Sequence, residues 1–260
     1  MRRSKTLQKI RNKQVVRMCA LGHYFPGYIK YVAHFNFDCI WLDLEHRTME
    51  SREIQSLLAF SHLYDVDVMV RPPTLEKSRL YRYLEDGATG LMIPHVSTVE
   101  KGEQLVQSVK FPPLGDRGID SAGLDADFGL PDPLTYAAEA NRETFLIVQI
   151  ETPEAVNNVE EISHIEGIDG LFLGPGDLNL RLQTDANNTL TLDESRQRVA
   201  DACRQQGKAW GQPAGSPEIL KSLVDQGAQL LPHGGDFMAV MKNLEICSQD
   251  FDALLKDEKR

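Results

Sequence analysis

Two acidic residues stand at the ends of two apolar segments that are separated by one helix-like segment. Phe145–Glu151 is apolar and β-branched and ends in a carboxylate, and Gly170–Gly174 is followed closely by Asp177. If the two segments are neighbouring parallel strands of a βαβ unit, both acids project from the same edge of the sheet. Two carboxylates at one edge repel each other unless a cation lies between them, and hard divalent cations prefer oxygen ligands. The spacing therefore favours a metal site formed by Glu151 and Asp177.

The same residues have a simpler interpretation. Glu151-Thr152-Pro153 is also an ordinary helix start, because proline suits the first helical turn and acids stabilise the positive end of a helix. On spacing alone, both interpretations stay open.

Three further residues complete a set that could perform proton transfer on a 2-oxo acid. Such a substrate chelates a divalent ion through its carboxylate and keto oxygens, and the ion acts as a Lewis acid that stabilises the enolate. Arg71 follows a strand-like segment and could hold negative charge on the keto oxygen. His46 could transfer the proton, and Asp86 could orient its imidazole.

Each of these residues also has a structural alternative. Arg71 precedes two prolines and could be a charged strand end, His46 could be a histidine of a surface loop, and Asp86 could simply end a helix. Asp43 and Glu45 could form an outer shell around the metal or be buried with other partners. His95 lies at a strand end and could contact substrate.

Strand-like and helix-like segments alternate along the chain, which predicts a parallel sheet, and eight such units close into a barrel. An open doubly wound sheet is the alternative, but the turn after the first strand lacks its glycine fingerprint. The predicted strands are Val15–Ala20, Asp38–Leu44, Val66–Val70, Gly90–Pro94, Phe145–Glu151, Gly170–Gly174, Lys208–Gly211 and Gln229–Leu231. The predicted helices are Pro26–His34, Met49–Leu63, Leu75–Asp86, Val99–Val109, Glu154–Ile162, Leu192–Gln206, Pro217–Gln226 and Phe237–Leu255.

The length of 260 residues suits one (β/α)8 TIM barrel domain over residues 1–260, since nothing in the composition marks a linker. Residues 4–13 are expected to form an additional N-terminal helix. Residues 114–141 interrupt the alternation with six glycines and prolines. A long loop of this kind usually has a function, and we expect it to be a lid over the catalytic edge or part of a subunit contact.

Charge and composition limit the partners that we expect. A net charge of −10 argues against nucleic acid, because a phosphate backbone requires a basic surface. No apolar segment is long enough to span a membrane, and the N-terminus does not resemble a signal peptide. The four cysteines are far apart in sequence, which suggests free thiols and a cytoplasmic location.

The sequence lacks the residues that several other enzyme mechanisms require. A Schiff-base aldolase needs a lysine at the catalytic edge, whereas Lys208 begins its predicted strand and so lies at the opposite edge. No nucleophile elbow, Walker A loop or dinucleotide fingerprint is present. The Gly234-Gly235 pair resembles a barrel phosphate loop only weakly.

Six sequence segments together resemble the HpcH/HpaI aldolases, the metal-dependent class II 2-oxo acid aldolases that are related to the citrate lyase β chain. The segments occur in order and cover most of the chain: Trp41–His46, Val70–Pro73, Gly90–Pro94, Phe111–Gly118, Gln149–Pro153 and Asp169–Leu178.

The resemblance implies a barrel of the pyruvate/phosphoenolpyruvate-binding type. It also implies that a Mg, Mn or Co ion is held by Glu151 and Asp177. Pyruvate would bind beside Pro175 and Gly176, close to Gln149.

The resemblance assigns the other residues as well. Arg71 would contact the keto oxygen, and His46 with Asp86 would serve proton transfer. The assembly implied is a homo-oligomer, a hexamer or a trimer, in which the last helix is exchanged between neighbours.

The chain departs from the family pattern at three places near the expected substrate mouth, namely Arg47-Thr48, His95 and Ile119-Asp120. These departures bear on the second substrate more than on the metal and the pyruvate half.

Three hypotheses follow. The first is an aldolase that reversibly cleaves a 4-hydroxy-2-oxo acid, or a 2-keto-3-deoxy sugar acid, to pyruvate and an aldehyde through a metal-stabilised enolate. The second is another metal-enolate lyase or a decarboxylase on the same scaffold. The third is a non-catalytic barrel subunit that binds a metal or metabolite.

Overall fold

The chain forms a closed barrel of eight parallel strands, in a computed structural model that describes residues 1–186 and 189–257. The strands follow one another around the barrel in sequence order, and the last pairs with the first. The predicted (β/α)8 TIM barrel is therefore confirmed. The strands are Val16–Leu21 (β1), Cys39–Asp43 (β2), Asp67–Arg71 (β3), Gly90–Ile93 (β4), Phe145–Ile150 (β5), Gly170–Leu173 (β6), Ala209–Gly211 (β7) and Leu230–Gly235 (β8).

Helices surround the barrel, and none of those in the described part of the chain has the length and apolar character needed to cross a bilayer. A 3-10 turn covers Asp127–Gly129. The α-helices are Lys5–Arg11 (α1), Pro26–His34 (α2), Ser51–Leu63 (α3), Lys77–Glu85 (α4), Val99–Val109 (α5), Pro133–Glu143 (α6), Pro153–Asn157 (α7), Val159–His164 (α8), Pro175–Thr184 (α9), Leu192–Gln206 (α10), Pro217–Asp225 (α11) and Asp236–Asp257 (α12).

Two apolar layers hold this architecture together. Successive side chains of a strand point to opposite faces, so each strand supplies one set of residues to the barrel interior and another to the space beneath the helices. The interior layer includes Met18, Met69, Ile147 and Phe172. The layer between strands and helices is larger and consists mainly of Leu, Ile and Val side chains.

The helix α1 closes the amino-terminal end of the barrel. The side chain of Ser4 caps this helix, and Leu7 packs against the interior layer. The fully buried carboxylate of Asp67 ties the segment to β3, because it accepts hydrogen bonds from Arg2, Ser4 and Thr6 at 2.8–3.0 Å. This end of the barrel is therefore shut to solvent and carries structure rather than chemistry.

The segment 114–141 differs from our expectation in both position and structure. It connects the end of α5 to the start of β5, so it is an αβ connection that begins and ends at the amino-terminal face. It packs against the end of α4, where the backbone N–H of Asp125 donates to the carbonyl oxygen of Glu85. The prediction of a lid over the catalytic mouth is wrong for this reason, whereas a role in a subunit contact stays a prediction.

The last part of this segment is helical. Asp132 accepts hydrogen bonds from two backbone N–H groups of the first turn of α6, and Pro133 occupies the first helical position. Upstream, the buried Arg117 contacts Asp125 and Tyr136. The segment is thus a packed part of the fold rather than a glycine- and proline-rich loop throughout.

Candidate active site

The carboxylate of Glu151 lies at the carboxyl end of β5, facing the barrel interior, and is almost fully buried. One oxygen, Oε1, accepts a hydrogen bond from the backbone N–H of His95 at 2.7 Å. The same oxygen lies 2.9 Å from Nδ1 of the imidazole ring of His95. The other oxygen, Oε2, accepts a hydrogen bond from Nε2 of Gln149 at 2.6 Å. Both carboxylate oxygens are therefore held in place from two neighbouring strands.

Burial raises the pKa of the Glu151 carboxyl. The contacts with His95 lower this pKa, while the negative charges of Asp177 and Glu45 raise it further. These acids together concentrate negative charge at the mouth. A bound cation would reduce the repulsion between them.

Asp177 belongs to the first turn of α9, a helix that our sequence analysis does not predict. It lies 2.9 Å from Nη1 of Arg181, one helical turn further on. The same guanidinium donates to the backbone carbonyl oxygen of Asp177 at 3.1 Å and reaches that of Glu151 at 3.5 Å. Arg181 thus connects the two predicted metal ligands. The spacing of four residues between an acid and a base could have revealed this pair if the helix had been predicted.

The predicted substrate-binding residues Pro175 and Gly176 lie in the first turn of α9, beside the two acids. A side chain at Gly176 would point into open space, whereas a Cβ atom at Gly174 would approach Oε2 of Glu151 within 2.4 Å. The buried Oε1 of Gln149 has no hydrogen-bond partner within the described residues. This corner of the mouth therefore combines free backbone N–H groups of a helix start with an unpaired amide oxygen.

Arg71 ends β3 and is buried between two acids from the neighbouring strand β2 and the loop that follows it. Its guanidinium contacts Asp43 at 2.9 and 3.0 Å and Glu45 at 3.1 Å, and it stacks on the ring of Trp41 at 4.7 Å from the ring centroid. Burial raises the pKa of Asp43, but the contacts with Arg71 and, to a smaller extent, His46 together leave this pKa below the usual value. Of the two interpretations of Asp43 and Glu45, contact with another partner is the one that these distances show, and that partner is Arg71.

His46 and His95 both lie near Glu45 at the mouth. Nε2 of His46 is 3.7 Å from one oxygen of Glu45, and Nε2 of His95 is 3.6 Å from the other. Because His95 also contacts Glu151, it links the surroundings of Arg71 to the predicted metal ligands. His46 is more than half exposed and is free to meet a ligand that enters from solvent.

Asp86 lies apart from the other predicted site residues. It ends α4 and therefore stands at the amino-terminal face, the opposite end of the barrel from His46. It accepts a hydrogen bond from Gln55 at 3.0 Å and lines a cavity of about 300 Å³ together with Arg82 and Asp120. Within one chain, Asp86 therefore does not orient the imidazole of His46.

The donor set suits a hard divalent cation. In the described part of the chain no group of three or more His, Cys, Asp or Glu side chains is arranged to hold a metal ion. Magnesium commonly binds through one or two carboxylates and completes its shell with water and substrate oxygens. Glu151 and Asp177 fit this mode, since both are carboxylates at one edge and the charge of Asp177 raises the pKa of Glu151.

The family model for HpcH/HpaI aldolase/citrate lyase matches residues 21–242. The chain belongs to this family. Its curated relatives include the 2-keto-3-deoxy-L-rhamnonate aldolase of Salmonella typhimurium, which is 33% identical over 214 residues, a match that covers 80% of this chain and 78% of the relative.

Solved structures agree with the assignment of this chain to the HpcH/HpaI family. An HpcH/HpaI aldolase from Desulfitobacterium hafniense superposes with a TM-score of 0.87 at 28% identity, covering 94% of this chain and 95% of the other. Macrophomate synthase superposes with a TM-score of 0.82 at 26% identity, covering 97% and 90%. The family member is an enzyme, a carbon–carbon lyase, and the hypothesis of a non-catalytic subunit does not hold.

Proposed function

We propose that this enzyme is a divalent-metal-dependent aldolase that reversibly cleaves a 4-hydroxy-2-oxo acid to pyruvate and an aldehyde. A 2-keto-3-deoxy sugar acid is the substrate class that agrees with the rhamnonate aldolase relatives. The observation that carries the proposal is the group formed by Glu151, His95, Glu45 and Arg71, in which each residue contacts the next at one mouth of the barrel.

In the proposed site, Glu151 and Asp177 hold Mg, Mn or Co, which when bound acts as a Lewis acid toward the oxo acid. The substrate carboxylate is placed at the start of α9, where the backbone N–H groups of Gly176 and Asp177 have no partner within the helix. Gln149 offers its unpaired Oε1 to a substrate hydroxyl group.

Arg71 has the role of stabilising negative charge on the keto oxygen. Its side chain is nearly fully buried and is held by two carboxylates and one aromatic ring, so it does not need to reorganise when charge develops. Preorganised donors of this kind are among the largest contributions to catalysis.

His46 is the group proposed to remove the proton from the 4-hydroxyl of the substrate as the carbon–carbon bond breaks, and to return a proton in the reverse direction. Its exposed ring can take part in such a transfer directly or through one water molecule. Glu45, at 3.7 Å, would stabilise the imidazolium that forms.

Asp86 has a place in this reaction only across a subunit contact, because it lies at the far end of its own barrel. We therefore propose that Asp86 of one copy serves His46 of a neighbouring copy. Burial raises the pKa of Asp86, as expected for an acid partly removed from solvent, and the side chain lines an open cavity that a neighbour could reach.

Helix α12 supports the proposal of a homo-oligomer, a hexamer or a trimer. All its described side chains beyond the first residue are exposed, and they include Phe237, Met241, Leu244, Phe251 and Leu254. Exposed apolar surface of this extent marks an interaction site. A second copy of the same chain is the proposed occupant.

Proton exchange tests the proposed function. Incubation with pyruvate in D2O and Mg2+ should cause loss of the methyl signal in the NMR spectrum, and a chelator should stop it. Glu151→Gln should slow the exchange roughly a hundredfold or more, whereas Glu154→Gln, a nearby exposed acid on α7, should not change it. Absence of exchange with Mg2+, Mn2+ and Co2+ would count against the proposal.

A panel of aldehydes then separates an aldolase from another lyase on the same scaffold. Hydroxylated aldehydes should form products with pyruvate if the enzyme acts on sugar acids. Exchange without any aldol product would instead favour the alternative of a different metal-dependent lyase or decarboxylase.

A further inference from the structure

Trp41 lies across the upper end of the barrel interior. It lies on the same face of β2 as Cys39 and Asp43, and this face points inward, as the packing of Cys39 in the interior layer indicates. The indole ring meets Phe172 edge-on at a centroid distance of 5.7 Å. Because β2 and β6 stand on opposite sides of an eight-stranded barrel, the ring spans the interior.

The ring of Trp41 is partly exposed, although it points into the barrel. The inward-pointing Met69, Met92 and Ile147 are fully buried, and Leu7 packs over the amino-terminal end. In the described part of the chain, solvent therefore reaches Trp41 through the carboxyl-terminal mouth, where Arg71, Glu151 and Asp177 lie. Its exposed surface is the bottom of that mouth.

The same ring supports Arg71, whose guanidinium carbon lies 4.7 Å from the ring centroid. An aromatic face attracts a guanidinium, and the attraction strengthens where water is excluded. Asp43 and Glu45 contact the guanidinium nitrogens, and Trp41 covers one face of the guanidinium group.

We propose that Trp41 is the floor of the substrate site and selects a 2-oxo acid with an unsubstituted C3 methyl group. This inference rests on the proposed function, in which Arg71 contacts the keto oxygen. The carbon next to the keto group then comes to lie over the indole ring. An apolar methyl group is accommodated there, and a larger C3 substituent is excluded by the ring.

Packing rather than hydrogen bonding fixes this floor. The indole Nε1 is buried and has no hydrogen-bond partner in the described part of the chain. Replacement by phenylalanine therefore keeps an apolar ring without leaving a partner unpaired, and replacement by leucine lowers the floor.

Tryptophan fluorescence tests the placement directly, since the chain contains only Trp41 and Trp210. Trp210 is buried in the layer beneath the helices, away from the mouth. In the Trp210→Phe protein, addition of pyruvate with Mg2+ should change the emission saturably, with the same half-saturation as proton exchange. In the Trp41→Phe protein, the emission should not respond. Exchange without any response of Trp41 would overturn the proposal.

Donor selectivity tests the consequence. The rate of C3 proton exchange of 2-oxobutanoate relative to pyruvate should rise about tenfold or more in Trp41→Leu, because one methylene group in an apolar pocket is worth this much. Trp41→Phe should change the ratio less. An unchanged ratio in a Trp41→Leu protein with a normal thermal transition would contradict the proposal, and if that variant does not fold, the fluorescence result decides.

These outcomes separate the two proposals. Loss of the fluorescence response with intact exchange removes only the floor, and the aldolase proposal stands. Absence of both pyruvate exchange and pyruvate binding in the wild-type protein removes the proposed function, and the floor with it.

Discussion

At the mouth of the barrel, each acid lies against a positively charged or titratable side chain of the same chain. Arg71 contacts Asp43 and Glu45, and Arg181 contacts Asp177. His95 similarly contacts Glu151. The side chains are therefore held in position before any ligand arrives, and fixed groups of this kind lower the cost of reorganisation during a reaction.

The contact between Gly174 and Glu151 predicts a first variant. In Gly174→Ala the new methyl group would come within 2.4 Å of Oε2 of Glu151 and 2.7 Å of Nε2 of Gln149. The carboxylate must turn away, and we expect affinity for Mn2+, measured by calorimetry, to fall about tenfold or more. Gly215→Ala, where a methyl group meets nothing within 4 Å, is the control and should bind Mn2+ normally. Equal affinities in both variants would show that the carboxylate adapts.

The lowered pKa of Asp43 predicts a pH-dependent loss of stability in Asp43→Asn. The carboxylate stabilises the fold above its unfolded pKa, near 3.8, and this contribution disappears as the pH falls through the lower folded pKa. The variant should lose about 1–2 kcal/mol at pH 7, allowing for partial exposure of the pair. Urea denaturation should show this difference shrinking below about pH 4. A difference that does not depend on pH would point to packing instead.

The sequence was sufficient to predict that several proposed site residues lie at strand ends, but not which contacts they make. Glu151, Asp177 and Arg71 follow strands, and strand ends can be located from apolar segments alone. Asp86 cannot be placed at the mouth by the same reasoning, because it ends a helix and the helices run opposite to the strands. The floor position of Trp41 depends on which of two faces the residue occupies, a distinction that requires the exact register of β2.

At the scale of elements, all eight strands lie where the alternation of apolar segments predicts them. Helices α6 and α9 were missed for different reasons. The start of α6 lies in a segment whose glycines and prolines hide the capping residue Asp132. Helix α9 begins at Pro175-Gly176, a pair that also suits a loop, and only the side-chain packing of Leu178 and Leu182 distinguishes the two.

The closure of the amino-terminal end by α1 predicts a large loss of stability in Asp67→Asn. This buried carboxylate pairs with Arg2 and holds Ser4 and Thr6, so the variant removes the buried partner of the mostly buried Arg2 and weakens the hydrogen bonds to Ser4 and Thr6. We expect a loss of about 3–5 kcal/mol in urea denaturation.

Asp65→Asn is the matched control for this experiment. Asp65 also pairs with Arg2, but its side chain is more than half exposed, so the expected loss is below about 1 kcal/mol. Similar losses in the two variants would mean that burial does not decide the strength of these pairs.

The exposed apolar face of α12 predicts a change of assembly in Leu244→Glu. The charge would lie on a surface that we propose to be covered by another copy, and its burial there would be costly. Light scattering coupled to size-exclusion chromatography should give a smaller mass than for the wild type. Asn243→Glu adds the same charge at an adjacent polar position and should leave the mass closer to that of the wild type. A wild-type monomer would contradict the proposed assembly.

At the scale of the whole molecule, the two ends of the barrel have different compositions. The carboxyl-terminal mouth gathers Arg71, Glu151 and Asp177, whereas Asp86 and the segment 114–141 lie toward the other end. Elements that alternate in direction separate residues that are close in sequence. This separation explains why the barrel could be predicted from the sequence while the location of Asp86 at the opposite end from His46 could not.

Mixing two inactive variants tests whether Asp86 serves a neighbouring copy. His46→Ala and Asp86→Ala should each lose most of the aldolase activity. After subunits are exchanged in an equimolar mixture, roughly a quarter of the sites should contain both residues and recover activity. No recovery in mixed assemblies, verified by native mass spectrometry, would exclude a role for Asp86 across the contact.

The plug formed by α1 has a consequence for how this enzyme can change. Because the amino-terminal end is sealed independently by Arg2, Ser4, Leu7 and Asp67, replacements around the rim at Arg47 or His95 do not draw on the contacts that keep the barrel closed. Randomising rim positions should therefore give variants that prefer other aldehydes while the melting temperature stays nearly constant. The same freedom would let related enzymes diverge in what they cleave.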